Sequence, residues 1–413
     1  MLNRPTQWVF TLFLVLALNG CGGGGQSSGD NSSSVSSSSA SSSSAAQTGG
    51  DDTSPRLALA DIQLPDNSRF FLGADLSYVN EMEDCGVQYQ RDGAFEDPYT
   101  LFADAGTNLV RVRLWHTPDW TQYSDLTDVI ETLTRAKNAG MPVLLDFHYS
   151  DTWADPEKQI TPAAWEHLQN DTQALGEALY DYTFGTLTAL NSLGLLPEMV
   201  QVGNETNNEI LQPEDAANSG GIDWARNALL LNKGLQAVAD FNREHGTQVE
   251  RILHIAQPEN AQWWFGQAQA AGITDFDIIG LSYYGKWSTV KVDRVGESIS
   301  TLRSTYNKDV MIVETAYPWT LQGFDQASNV LGADSLLAEY EATPEDQLQY
   351  MIDLTDQVAS AGGLGVVYWE PAWVSSQCAT LWGTGSHWEN AAFFDSGNNN
   401  VALPAMSIFS ITQ

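Results

Sequence analysis

The chain has 413 residues and carries 52 acidic against 18 basic side chains, a formal net charge of −34. Such a field repels nucleic-acid phosphates and polyanionic substrates, and suits a protein that handles a neutral partner. With 43% hydrophobic residues and 14 tryptophans the chain is not disordered as a whole and can build a sizeable core. Its three cysteines, Cys21, Cys85 and Cys378, are too few for a disulfide scaffold and have no metal-site spacing.

Residues 1–20 read as an export leader. Arg4 supplies the positive start, and Trp8 to Leu18 is apolar except for Thr11, too short a run to stay in a bilayer as a spanning helix. The ending Leu18-Asn19-Gly20-Cys21 looks like a bacterial lipobox, in which Cys21 is acylated and heads the mature protein. An ordinary cleaved signal is the alternative. No charge follows Cys21 immediately, which under Gram-negative sorting points to the outer membrane. Residues 21–56 are Gly-rich and then almost wholly Ser and Ala, a composition that buries nothing and serves as a flexible tether of roughly 30 Å average span.

Residues 57–413 show no second low-complexity break and are expected to form one domain. Short apolar, often β-branched runs recur at Phe70–Leu76, Leu109–Trp115, Pro142–Tyr149, Met199–Asn204, Arg251–Ala256, Phe276–Tyr284, Val310–Thr315 and Gly365–Trp369. Helical patterns lie between them at Asp125–Ala139, Ala163–Leu193, Ala225–Glu244, Val295–Thr305 and Pro344–Ala361. This alternation predicts an α/β fold, a single (β/α)8 TIM barrel with long loops after its strands. A doubly wound open sheet is second choice, since no Gly-rich nucleotide fingerprint follows any strand.

In a parallel barrel the C-terminal strand ends share one face, and that is where this chain is polar. Asp75 ends the first strand, Arg113 and Trp115 the second, Asp146 and His148 the third, and Asn204-Glu205 the fourth. Ser282, Tyr283 and Tyr284 end the sixth strand, Glu314 the seventh, and Tyr368-Trp369-Glu370 the eighth. Two strands that each end in a glutamate supply what glycoside hydrolysis needs, a proton donor for the leaving oxygen and an anion at C1. Glu205, beside neutral Asn204, suits the donor; Glu314 suits the nucleophile if Arg113 and a hydroxyl of Tyr283 or Tyr284 hold its charge. Asn204 is placed to bond a sugar hydroxyl next to the reacting carbon. Arg111 is expected as a buried partner of Asp75 or Asp146. Trp115, Trp153, Trp287 and Trp369 are candidates to stack on sugar faces, with core packing the equal alternative. Asp151 and Asp155, in the loop Tyr149–Pro156, would either bond hydroxyls or cap the loop.

Several of these stretches together resemble glycoside hydrolase family 53: Gly73-Ala74-Asp75-Leu76-Ser77, Arg111-Val112-Arg113-Leu114-Trp115, Asp146-Phe147-His148-Tyr149-Ser150-Asp151 and Trp153-Ala154-Asp155-Pro156. Val202-Gly203-Asn204-Glu205, Ser282-Tyr283-Tyr284, Val313-Glu314-Thr315 and Tyr368-Trp369-Glu370-Pro371 extend the likeness over roughly residues 68–413. The resemblance implies a retaining endo-β-1,4-galactanase on a (β/α)8 barrel, acting on pectin galactan, with Glu205 as acid/base and Glu314 as nucleophile. The chain departs from the family pattern at Glu209-Ile210-Leu211-Gln212-Pro213 and at Gly285-Lys286 before Trp287, both close to the expected cleft. Some bacterial members hold calcium in an Asp/His-rich loop after the nucleophile strand. Here Ala316–Val330 has only Asp325 among acidic residues and no His, so calcium, though possible, is not expected there, and the chemistry requires no cofactor.

Cys85 follows the first strand and Cys378 the eighth, neighbours in a closed barrel, so an exported protein would join them as a disulfide. The expectation is therefore a monomeric, surface-tethered enzyme on a neutral plant polysaccharide, touching a membrane only through its lipid. Another retaining barrel glycosidase (an endo-glucanase or mannanase) and a non-catalytic glycan-binding lipoprotein are the alternatives.

Overall fold

The computed structural model describes residues 56–65, 69–214 and 221–412. The leader, the lipid-acceptor Cys21 and all of the tether but its last residue lie outside the described residues. Eight parallel strands close into a barrel: β1 Phe71–Asp75, β2 Leu109–Leu114, β3 Val143–Phe147, β4 Met199–Val202, β5 Glu250–Ala256, β6 Ile278–Ser282, β7 Asp309–Glu314 and β8 Gly365–Tyr368. Each strand pairs with the next, and closure is made by β1 against β8, with Phe71 opposite Gly365 and Ala74 opposite Tyr368. All eight correspond to runs predicted above, trimmed by one or two residues at ten of the sixteen ends and begun one residue earlier at Glu250 and Asp309.

Helices pack around this barrel. The longer ones are α3 Leu126–Asn138, α4 Thr172–Ser192, α5 Trp224–His245, α6 Pro258–Ala270, α7 Val295–Tyr306 and α8 Pro344–Ser360; α1 Val79–Asp84 and α2 Pro98–Ala105 are short. The helix expected over Ala163–Leu193 is two elements, a 3-10 segment Ala163–Leu168 and then α4. Asp171 makes the break, since its carboxylate accepts the Ala174 N–H and starts a new helix. α6 escaped the sequence pattern because its apolar positions carry three alanines and two adjacent tryptophans, which blur the 3.6 period.

Inward side chains stack in layers. The lowest is apolar: Phe71, Leu109, Leu144, Met199, Ile252, Ile278 and Met311 plug the barrel together with Val313 and Val367. Two residues further along the strands the interior turns polar with buried Arg111, Asp146, Gln201 and His254. Gly73 belongs to this level, and a Cβ there would sit 3.0 Å from both the Leu109 carbonyl and Val367 Cγ2. The missing side chain is what lets β1 come so close to its neighbours.

Cys85 and Cys378 are joined, with Cα atoms 5.6 Å apart, as expected from the adjacency of β1 and β8. The bridge ties the end of α1 to the long loop after β8.

Candidate active site

The strands deliver their polar ends to one place by three local devices. Alternation alone puts Asp146 and His148 on the same inner side of β3. At the end of β4, Gly203 (φ 90°) and Glu205 (φ 43°) turn the chain so that Asn204 and Glu205 both reach the axis. A Cβ on residue 203 would lie 2.5 Å from Thr206 Cγ2, so only glycine fits the turn. On β7, Val313 belongs to the inner plug, and strict alternation would send Glu314 outward. A bulge between Leu281 and Ser282 shifts the register so that Ser282 pairs with Glu314, and the carboxylate points inward.

Arg111 is the hub. Its guanidinium contacts Asp75 Oδ2 at 2.7 Å, Asp146 Oδ2 at 2.8 Å and Glu314 Oε1 at 2.7 Å. Nε donates to Gln201 Oε1 and Nη2 to Asn204 Oδ1, each at 2.9 Å. Burial works against this cation, but Glu314, Asp146 and Asp75 outweigh it and raise its pKa. Asp75 is fixed in turn by the Ser77 N–H and hydroxyl. His148 contacts Asp146 through Nε2 at 3.1 Å and accepts the Ala154 N–H at Nδ1. Against the upward push of burial, Arg111 and His148 hold Asp146 below its ordinary value.

One expectation is corrected here, and the choice between two tyrosines is decided for Tyr284. Arg113 does not hold Glu314; it pairs with buried Glu370 at 2.6 Å, one layer nearer the loops, and Arg111 takes the nucleophile position's charge. Tyr283 does not reach Glu314 either. Its hydroxyl donates to the Val290 carbonyl, while Tyr284 donates to Glu314 Oε2 at 2.9 Å.

Glu205 receives a hydrogen bond from Ser282 Oγ at 2.6 Å. Burial first, and then the Glu314 charge, push its pKa well above the usual carboxylate range. Burial raises Glu314 as well, to about 7, the Arg111 charge and the Tyr284 hydroxyl limiting the rise by supporting its anion. One proton shared between the two carboxyls therefore rests on Glu205. The geometry can protonate a leaving group from one side and offer an anion on the other.

The rim is aromatic. Trp153, Trp369 and Trp382 are half-buried, with Trp153 ring centroids 5.7 Å from Trp369 and 6.3 Å from Trp382. Trp115 is only 1% exposed, so a sugar cannot stack on it. Instead it packs edge-on against Trp153 at 5.5 Å, and Arg113 lies against the faces of Tyr78, Trp115 and Trp153 at 4.1, 4.9 and 4.5 Å. Trp287 is 47% exposed beside Tyr284. Asp151 and Asp155 serve their loop: Asp151 accepts the Thr117 and Ala163 N–H groups, and Asp155 those of Glu157 and Lys158.

The residues that depart from the family pattern also tie loops together. Glu209 lies 3.7 Å from Arg226, which donates to the Ile210 and Leu211 carbonyls, and Lys286 bonds the Val330 carbonyl and Asp334. Asp325 accepts from Ala327, Ser376 and Ser386 N–H groups, joining the loops after β7 and β8 with backbone donors. Among the described residues no group of three or more His, Cys, Asp or Glu side chains is arranged to hold a metal ion.

Sequence reasoning missed Gln201, His254, Gln159 and Trp382. Gln159 donates to the carbonyls of Asn204 and Glu205 from a loop with no periodic signal. His254 sits inside an apolar run, and only its place two residues after Ile252 marked it as inward.

The model of Glycosyl hydrolase family 53 matches residues 71–409. The chain is 59% identical over 352 residues to an arabinogalactan endo-beta-1,4-galactanase of Cellvibrio japonicus, covering 85% of this chain and 93% of that protein. It is 34% identical to an endo-beta-1,4-galactanase of Bacillus subtilis, covering 84% and 87%. Among solved structures, the Ignisphaera aggregans GH53 catalytic domain superposes with a TM-score of 0.76 at 31% identity, covering 85% of this chain and 99% of that domain. With its barrel, its Asn-Glu strand end and a family match across nearly the whole described domain, the chain belongs to glycosyl hydrolase family 53.

Proposed function

We propose that the protein is an endo-β-1,4-galactanase that cleaves galactan or type I arabinogalactan with retention, by double displacement. The observation that carries this is the pairing of Glu205, bonded by the Ser282 hydroxyl, with Glu314, whose carboxylate is held between Arg111 and Tyr284. Glu314 attacks C1 as Glu205 gives its proton to the departing oxygen; Glu205 then deprotonates the water that releases the glycosyl group from Glu314. Asn204 retains one amide hydrogen after donating to the Ala154 carbonyl, and that hydrogen is available to the adjacent sugar hydroxyl. Trp153, Trp369 and Trp382 would carry the neighbouring sugars. The chemistry calls for no cofactor.

The galactan preference is supported by the names of the relatives, and the aromatic rim supports a carbohydrate substrate. The test is reducing-end release from linear β-1,4-galactan beside a β-1,4-glucan and a β-1,4-mannan. Release from galactan alone is expected, and release from another glycan instead would overturn the substrate while keeping the mechanism.

The lipobox-like Leu18-Asn19-Gly20-Cys21 and the Ser-rich stretch behind it support a protein tethered to a membrane surface. Membrane association that survives Cys21→Ser would contradict that part.

A further inference from the structure

One imidazole grips both ends of Glu205. His254, fully buried on β5, faces the Glu205 backbone N–H with Nδ1 at 3.3 Å, and its own carbonyl accepts the Thr206 N–H at 2.8 Å. These contacts hold the residue whose positive φ brings the carboxyl to the axis. The other ring nitrogen lies 2.8 Å from Ser282 Oγ, which is the donor to Glu205 Oε1.

Hydrogen counting fixes the direction of this chain. Gln201 accepts from Arg111 Nε with Oε1, so its amide nitrogen points the other way, giving one hydrogen to Asp146 and one to His254 Nδ1 at 3.0 Å. Two N–H groups, from Gln201 and from the Glu205 backbone, thus converge on Nδ1, which must be the unprotonated nitrogen. The opposite tautomer would satisfy only Asn204 Oδ1, 3.0 Å away, and that oxygen already accepts from Arg111. Burial, and next the Arg111 charge, keep the ring neutral. The Nε2 proton therefore goes to Ser282 Oγ, and the single serine hydrogen is left for Glu205 Oε1. Oε2 accepts no hydrogen bond among the described residues.

We propose that His254 and Ser282 are positioning residues for the acid/base step, a one-way hydrogen-bond chain that reserves Oε1 of Glu205 as an acceptor and confines the catalytic proton to Oε2. The proposal rests on Glu205 being the acid/base. In the first step the Oε2 proton passes to the glycosidic oxygen as its bond to C1 breaks and C1 bonds to Glu314. In the second, a water oxygen bonds to C1, the bond to Glu314 breaks, and the water proton returns to Oε2. Ser282 keeps its proton throughout and stabilises the carboxylate between the two steps. The other charged or titratable groups facing Glu205 are Glu314 from β7, Arg111 from β2, Tyr284 after β6 and Asp155 from the loop after β3.

Removing the donor destabilises ionised Glu205, so Ser282→Ala should move the alkaline limb of kcat/KM on galactan upward by about one pH unit. Ser282→Thr, which keeps the hydroxyl, should bring the limb back. A variant with lower activity but an unmoved limb would make Ser282 a packing residue and overturn the proposal. Nitrogen-15 NMR of histidine-labelled wild type needs no variant: His254 should stay neutral and protonated on Nε2 between pH 5 and 8. An Nδ1–H tautomer or an imidazolium there would overturn it equally. If wild type released nothing from galactan, the substrate reading would fail, while the NMR result would still decide the chain's direction.

Discussion

Arg111→Met tests the electrostatic design of the site most severely. The substitution keeps the stem but strands three buried carboxylates, Asp75, Asp146 and Glu314, that now lie 2.7–2.8 Å from one guanidinium. Removing one partner of a buried ion pair costs about 3–5 kcal/mol, a large part of the ordinary stability of a domain. Freed of the guanidinium, which now pulls both down, buried Asp146 and Glu314 have raised folded-state pKa values. The penalty therefore grows as pH rises above the ordinary carboxylate range and shrinks as pH falls and they protonate. Urea titration at pH 7 and pH 5 should show the deficit narrowing at the lower pH. Glu314, without its counter-charge, holds a proton more readily and is a poorer nucleophile, so kcat/KM at pH 7 should fall at least about 100-fold in the folded fraction. Arg113→Met provides the contrast. Arg113 pairs with Glu370, whose pKa burial, and then Asp75, already push well up, so that carboxyl can take a proton and soften the loss. It does not touch Glu314, and kcat should stay within about tenfold of wild type, with KM carrying any effect through the tilt of Trp153. Equal kcat losses in the two variants would refute the division of labour between the arginines.

Three further outcomes follow from single contacts. Tyr284→Phe removes the hydroxyl bonded to Glu314 and should lower kcat by about 10- to 100-fold, as a charge-assisted hydrogen bond is worth about 1.5–3 kcal/mol; Tyr283→Phe, which loses only a bond to a loop carbonyl, should leave kcat nearly intact. Breaking the Cys85–Cys378 bridge, which spans 293 residues of sequence, by Cys85→Ser with Cys378→Ser should cost about 2–5 kcal/mol in urea titration, and titration of the unfolded, unreduced wild type should find neither thiol free. Glu81 is buried, and burial pushes its carboxyl from the ordinary 4.5 to about 7 despite Arg113. Its ionisation therefore disfavours the fold increasingly from about pH 4.5 and fully above about pH 7. Glu81→Gln should then be stabilising by about 3 kcal/mol at pH 8 and neutral at pH 4 in thermal melts.

The barrel was legible because a fully buried parallel strand leaves a run of β-branched residues, and eight such runs survive even with frayed ends. The two glutamates were legible because each terminates a run. What could not be read was the level at which a side chain meets its partners. Arg111 and Arg113 face the same side two residues apart, and only the stagger of tilted strands decides which reaches Glu314. A bulge has no sequence mark, so the turn that brings Glu314 inward beside Ser282 was invisible. His254 carried no polar neighbour to flag it. Trp382 sits in the two-residue turn of a short hairpin, Ala379–Thr380 with Gly383–Thr384, in the long loop after β8, where no period operates, yet it closes the aromatic rim through Trp120 and Trp153.

The central claim is that Glu314 forms the covalent bond while Glu205 moves the proton. A 2-deoxy-2-fluoro β-galactosyl donor with an activated leaving group slows breakdown of any glycosyl-enzyme, so peptide mass spectrometry after brief incubation can locate the sugar. The label is expected on the peptide containing Glu314 and absent in Glu314→Ala. A label on Glu205, or an unlabelled enzyme whose first product has inverted configuration by proton NMR, would contradict it.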